Sequence, residues 1–172
     1  MKNKSKNKEK IKKIFNIIEY VVVFLVIIIN AILIFQSVRN PSKAPSLFGK
    51  KAFVIISGSM IPEIQIGDVV ITNNSNQFNV GDVIAFRNDS TVIVHRIIKE
   101  LNVNGNLMYQ TKGDNNNVAD KELVAISTIE GVMIWKIPFI GRILMWLYRN
   151  LFIVIAVLIV IIILKFFFTR NK

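Results

Sequence analysis

Two serines, one histidine and two aspartates stand where acyl-transfer chemistry would want them. Ser57-Gly58-Ser59-Met60-Ile61-Pro62 follows a short apolar run at 53–56. A Ser-Gly-Ser turn at a strand end leaves a hydroxyl with little bulk around it, and Pro62 restrains the backbone beyond. An ordinary turn has the same composition. His95, the single histidine, lies in Thr91-Val92-Ile93-Val94-His95-Arg96-Ile97-Ile98. Strand alternation puts it on the face of Ile93 and Ile97, with Arg96 beside Val94 and Ile98. A run apolar on both faces belongs inside a sheet, where a ring nitrogen needs a partner. That placement suits a hydrogen-bonded core histidine, and equally a general base. An unperturbed imidazole, with a pKa of about 6.5, is largely neutral at pH 7–8. Lys112-Gly113-Asp114-Asn115-Asn116-Asn117-Val118-Ala119-Asp120 puts two carboxylates in one turn-forming loop. It reads as a solvated surface loop, or as the source of the aspartate that a Ser-His pair requires.

Composition removes other chemistries. With no Cys there is no disulfide, thiolate nucleophile or thiolate metal site, and one His excludes a histidine metal cluster. No metal or cofactor is expected. The chain has 172 residues, 52% of them hydrophobic, yet a net charge of +11. Charge and hydropathy occupy different segments. Residues 2–13 hold seven Lys and one Glu, and 165–172 add three basic residues, whereas 37–149 carries twelve basic and nine acidic side chains. A nucleic-acid binder would carry its charge on the folded module, so the pattern excludes that partner and points to membrane lipid.

The apolar stretch at 14–35 would make a helix of about 33 Å, enough to cross a hydrocarbon core. It is too long for a cleaved signal peptide, and Ser42-Lys43-Ala44 is followed by Pro45. An uncleaved signal anchor is expected. A second stretch at 151–168 is interrupted only by Lys165, with Trp146 and Tyr148 ahead of it as an aromatic belt. The positive-inside rule then places both termini in the cytoplasm and the middle of the chain outside. The expected organisation is a basic tail (1–13), a transmembrane helix (14–36), a linker (37–51), an extracytoplasmic β-rich domain (52–141), an interfacial segment and transmembrane helix (142–168), and a tail (169–172). Runs at 53–56, 69–72, 83–86, 91–98, 107–111 and 123–129 are rich in β-branched and aromatic residues and read as strands. Asn104-Gly105 is the strongest hairpin signal. Gly67-Asp68-Val69-Val70-Ile71 echoes Gly81-Asp82-Val83-Ile84-Ala85, a Gly-Asp turn launching a strand each time. A helix is expected at about 139–148.

Taken in order, Ser57-Gly58-Ser59-Met60-x-Pro62, Gly-Asp, Val94-His95-Arg96 and Lys112-Gly113-Asp114-Asn115-Asn116 resemble the type I signal peptidase family over about 52–141. Val94-His95-Arg96 resembles the endoplasmic-reticulum and archaeal branch, which includes the SipW-like bacterial enzymes, whereas commoner bacterial members place Lys at the base position. The resemblance implies a mainly β, outward-facing catalytic domain with a transmembrane helix at each end. It implies a membrane-bound serine endopeptidase that removes signal peptides from exported preproteins. Ser59 matches the nucleophile and His95 the base. Asp114 and Asp120 match the two acidic positions, with Asp120 favoured to orient His95 and Asp114 to organise the loop. Ser57 matches the oxyanion-hole position beside the Ser59 N–H, and Pro138 and Gly141 match a feature entering the second span. The family's taste for small residues before the cut implies shallow pockets, for which Ile55, Ile56, Met60 and Val94 are candidates. Signal peptides and membrane lipids are the expected partners; partner subunits stay open. The competing expectation is a catalytically inactive, membrane-anchored β domain that binds exported or assembly partners.

Overall fold

The computed structural model describes the backbone of residues 2–41 and 43–170. Met1, Ser42, and Asn171 and Lys172 of the basic tail, lie outside the described residues, as do the side chains of 2–9, 12, 154, 158, 161, 162 and 165–170. The chain divides into two units, Met1–Phe48 and Gly49–Lys172.

In the first unit, α1 (Lys2–Arg39) extends the apolar stretch at both ends. Its portion Lys13–Arg39, with mean hydropathy 2.9, is the one helix among the described residues long and apolar enough to cross a bilayer by itself. The helix stops one residue short of Asn40, whose successor Pro41 disfavours a helical backbone at that position. The Gln36 amide then ties down the segment beyond: its Nε2 donates to the Ser46 carbonyl at 2.9 Å, and its Oε1 accepts the Ser46 N–H at 2.8 Å.

The second unit is built on one sheet. Its strands are β1 (Lys50–Val54), β2 (Val69–Asn73), β3 (Val83–Asn88), β4 (Thr91–Val103), β5 (Asn106–Lys112), β6 (Val124–Ala125) and β7 (Ile129–Ile137). Their order is β1-β2-β7-β3-β4-β5-β6, with every pair antiparallel. The expected runs at 69–72, 83–86, 91–98 and 107–111 fall inside β2 to β5, and the run at 53–56 overlaps only the end of β1. Asn104 and Gly105 both have positive φ, 52° and 81°, as a two-residue hairpin turn demands.

One expectation fails. The run at 123–129 is not a strand: it is the two-residue β6, then a 3-10 turn (Ile126–Thr128), then the start of β7. β7 itself, lying between β2 and β3, carries Glu130, Gly131 and Lys136, which interrupt the apolar pattern that marks a central strand.

Each face of the sheet carries its own apolar cluster. Ile55, Met60, Ile64, Val70, Val83, Ala85 and Val94 form one, and Phe78, Ile84, Phe86, Ile97, Tyr109 and Val124 the other. The two Gly-Asp turns are structural copies. Asp68 Oδ2 accepts the Gln65 N–H and Asp82 Oδ2 the Asn79 N–H, both at 2.9 Å. Gly67 and Asp68 exchange backbone bonds with Ile55, as Gly81 and Asp82 do with Ile97. The first copy carries β1 pairing on to the edge of the Ser57–Ser59 turn; the second carries β3 pairing two residues past His95.

Glu130 gives β7 its charge for a reason. It is buried, 5% exposed, and bonds Lys51 of β1 at 2.7 Å and Arg87 of β3 at 3.0 Å. Burial pushes its carboxyl up, but the hydrogen bonds and charges of Lys51 and Arg87 outweigh that and hold it below its ordinary value of 4.5. A lowered carboxyl stabilises the fold above its ordinary value and loses that stabilisation as pH falls through the folded-state value. Glu130→Gln should destabilise the full chain by about 3 kcal/mol at pH 7, the scale of breaking a buried ion pair. It should also flatten the loss of stability below about pH 4.5. Unfolding followed by circular dichroism in detergent checks both; an unchanged pH profile would refute the ion-pair account.

After β7 come α2 (Ile140–Arg149) and α3 (Leu151–Arg170), so the expected helix near 139–148 is present. The Arg142 N–H donates to the Gly67 carbonyl at 3.2 Å, and the Phe139 N–H to Asp68 Oδ1 at 3.3 Å, which docks the start of α2 on the first Gly-Asp turn. Pro138 and Gly141 flank this junction. α2 and the beginning of α3 are together apolar enough for a span, but they bend by 78° at the break.

Candidate active site

The site begins with β4. Its first half pairs with β3 and its second with β5, and His95 lies opposite Ile84 in the interior of the sheet. The ring is 8% exposed and meets Phe86 edge-on, with centroids 6.4 Å apart. Nδ1 is 2.7 Å from Asp120 Oδ2. The partner that a buried imidazole requires is therefore Asp120, from the far end of the Asn-rich loop. That loop returns to the sheet through a bond from the Asp120 N–H to the Thr111 carbonyl at 2.9 Å, and Thr111 Oγ1 donates to Asp120 Oδ2 at 2.6 Å.

Asp114 has a different neighbour. Arg96, next to His95 but on the opposite face, grips it as a fork, Nε to Oδ1 at 2.9 Å and Nη2 to Oδ2 at 2.7 Å. The hydrogen bond to Asp114 raises Arg96 above its ordinary value, against a smaller opposing effect of burial. Arg96 Nη1 also donates to the Gly81 carbonyl at 2.8 Å. One arginine thus holds the start of the loop against the second Gly-Asp turn.

The same loop seats the serine turn. The Asn115 N–H donates to the Ser59 carbonyl at 2.8 Å, and Asn115 Nδ2 to the Gly58 carbonyl at 3.3 Å. Gly113 lies so close that a Cβ there would be 2.6 Å from the Ser59 oxygen. Its φ is not left-handed, so the glycine serves close approach alone. Ser59 is half-buried, Ser57 is exposed, and their hydroxyls are 3.4 Å apart. Among the described residues, Ser59 Oγ has no hydrogen bond to His95. The loop at 113–120, which carries Asp114 and Asp120, therefore ties three elements together: it holds the Ser59 carbonyl near its start, Arg96 through Asp114, and His95 through Asp120 at its end.

Of the expected pocket residues, Ile55, Met60 and Val94 are buried together in one core cluster beneath the turn, while Ile56 is 77% exposed. A cavity of about 470 Å³ borders the other side of Asp120, lined by Phe86, Ile93, Asp120, Leu123 and Val124 among others. Among the described residues no three His, Cys, Asp or Glu side chains come together as a metal group. Sequence reasoning missed Thr111, Gly113 and Asn115, and it gave Arg96 no task. Asn115 and Gly113 stand inside the Lys112-Gly113-Asp114-Asn115-Asn116 motif itself. Only their contacts with Ser59, more than fifty residues away, show what they do.

The fold is a mainly antiparallel β-sheet domain, and its likeness to known proteins makes it a peptidase domain. Residues 43–134 match the Peptidase S24-like family, and the chain belongs to that family in its signal-peptidase branch, the SipW- and SEC11-like one. It is 33% identical over 117 residues to Signal peptidase I W of Bacillus subtilis, covering 66% of this chain and 61% of that protein. It is 34% identical over 114 residues to the signal peptidase complex catalytic subunit SEC11 of Candida tropicalis, covering 58% and 66% respectively. The SEC11 subunit of Colletotrichum graminicola is 31% identical over 130 residues, 69% of this chain and 73% of that one. The chain thus spans somewhat less than two thirds of the first two of these relatives.

Gly113→Ala should separate the loop's positioning of Ser59 from the chemistry itself. The added methyl must push the Ser59 backbone away, and misplacement of that order costs roughly 100-fold in rate. His95 and Asp120 should keep their bond, visible in the ring resonances of the single histidine. Full activity in Gly113→Ala would mean that the close contact does not set the serine's position.

Proposed function

We propose that the chain is a membrane-bound serine endopeptidase that removes signal peptides from exported preproteins on the outer side of the membrane. The observation that carries this reading is the Thr111–Asp120–His95 hydrogen-bond chain, tied by one loop to the Ser59 turn. Ser59 is the nucleophile. A serine hydroxyl attacks a carbonyl efficiently only when a base takes its proton, and neutral His95 is that base. Asp120 orients the ring, and Asp114, held by Arg96, organises the loop. The Ser59 N–H and the Ser57 hydroxyl stabilise the oxyanion. Catalytic hydrogen bonds often tighten only in the substrate complex, which is where Ser59 Oγ closes on His95 Nε2. Ile56 is exposed and meets the substrate directly, whereas Ile55, Met60 and Val94 set pocket depth from below. The preprotein binds in extended form along the strand leading to Ser57.

The same reading includes two spans, α1 and α3, with both termini cytoplasmic and the sheet domain of about 52–141 outside. The basic ends support this orientation, and the relatives' names support the substrate. Asn76→Cys introduces the sole cysteine of the chain, in the polar segment after β2. An impermeant maleimide should label it from the outer side of intact cells; labelling only from the cytoplasmic side would overturn the topology.

The test of function is direct. The full chain, reconstituted in vesicles, should cut members of a panel of exported preproteins at their signal junctions, as read by product mass. No processing of any precursor by folded, inserted protein would favour the inactive-domain alternative.

A further inference from the structure

Thr111 stands outside every motif, yet it is among the most enclosed polar residues of the sheet. It is 0% exposed, on β5 opposite Ile97 of β4. Its hydroxyl bonds Asp120 Oδ2 at 2.6 Å, the same oxygen that His95 Nδ1 approaches at 2.7 Å. Its carbonyl accepts the Asp120 N–H at 2.9 Å. One residue thus grips Asp120 by both backbone and carboxylate.

We propose that Thr111 is the positioning residue of the His95–Asp120 pair, aiming one carboxylate oxygen at Nδ1 and so fixing the histidine tautomer. An ionised carboxylate only accepts hydrogen bonds. The proton between Oγ1 and Oδ2 therefore belongs to Thr111, and the proton between Nδ1 and Oδ2 belongs to His95. In neutral His95 the other nitrogen, Nε2, is then bare and able to take a proton. Asp120 needs this grip because its side chain is 25% exposed, at the end of a long polar loop. Without the hydroxyl, water competes for the carboxylate, Oδ2 turns from the ring, and neutral His95 divides between its two tautomers. The consequence for catalysis rests on the serine–histidine reading above; the tautomer does not.

His95 is the only histidine, so the ring nitrogens of the labelled full chain give one unambiguous pair of ¹⁵N signals. At a pH where the ring is neutral, the wild type should show a protonated Nδ1 and a bare Nε2. Thr111→Val should shift both signals towards a tautomer mixture. It should also lower kcat roughly 10- to 100-fold, the loss of one hydrogen bond to a charged group expressed as rate, with little change in KM. Thr111→Ser should restore both. If Thr111→Val does not fold, Thr111→Cys, similar in size and a far weaker donor, should show the same shift. Wild-type ring signals in a folded Val or Cys variant would overturn the proposal, even if the rate falls. So would a failure of Thr111→Ser to restore the signals. Persistent cleavage by Ser59→Ala would instead overturn the serine–histidine reading and leave the tautomer result standing.

Discussion

Ser59→Ala should eliminate preprotein cleavage while leaving the protein folded and inserted. What the Asn115 N–H holds is the Ser59 carbonyl, which the substitution keeps, so the turn should stay seated. What disappears is the only hydroxyl placed in that seat. Ser57 Oγ is 3.4 Å away, but it is on the exposed arm of the turn and lacks the Gly113 and Asn115 contacts. Removing the nucleophile of a serine hydrolase costs on the order of 10⁶-fold in kcat, and the other members of the catalytic group then contribute almost nothing further. The double variant with His95→Ala should therefore be no slower than either single one. Ser57→Ala, which on the proposed assignment loses one oxyanion donor, should retain activity reduced by roughly 10- to 1,000-fold. Product mass after prolonged incubation distinguishes these levels. If Ser59→Ala cleaves at the wild-type rate while Ser57→Ala is dead, the nucleophile is Ser57.

The parts of this site that were legible in the sequence are those whose signal is local. Asn104-Gly105 announces its hairpin because two successive positive φ angles favour those residue types. Strand alternation put His95 with Ile93 and Ile97, and its pairing partner Ile84 and ring neighbour Phe86 belong to the cluster that includes Ile97. The Gly-Asp echo reflects a repeated hydrogen-bond pattern with Asp as acceptor, which is also local. What stayed hidden depends on partners far along the chain. Glu130 reads as a break in an apolar run until Lys51 and Arg87 arrive from strands 79 and 43 residues away. Gly113 reads as a turn glycine until the Ser59 carbonyl is seen against it. Thr111 is an unremarked residue of a strand until the loop closes Asp120 back upon it. β7 was lost for the same reason, because its charged residues are paid for by neighbours that sequence proximity does not reveal.

His95→Lys should be nearly as inactive as His95→Ala, although lysine is itself a possible general base. A lysine base must lose its proton, and that requires surroundings that disfavour the ammonium. The surroundings here do the reverse. Asp120 presents to position 95 a carboxylate oxygen already fixed by Thr111 at 2.6 Å. An ammonium reaching that oxygen gains a charged partner, which favours the protonated form. The site is also shaped for a flat ring, with Phe86 meeting it edge-on, and a four-carbon chain must curl to fit there. The damage should depend on Asp120, and that gives the prediction its discriminating arm. In the wild type, Asp120→Asn should lower kcat by roughly three to four orders of magnitude, as loss of the orienting carboxylate does in other serine hydrolases. In the His95→Lys background the same change removes the charge that keeps the lysine protonated, so activity should rise rather than fall. Opposite signs for one substitution in two backgrounds follow only if Asp120 acts on position 95 by its charge. Near-wild-type cleavage by His95→Lys alone, or equal losses from Asp120→Asn in both backgrounds, would reduce Asp120 to a structural support of the loop.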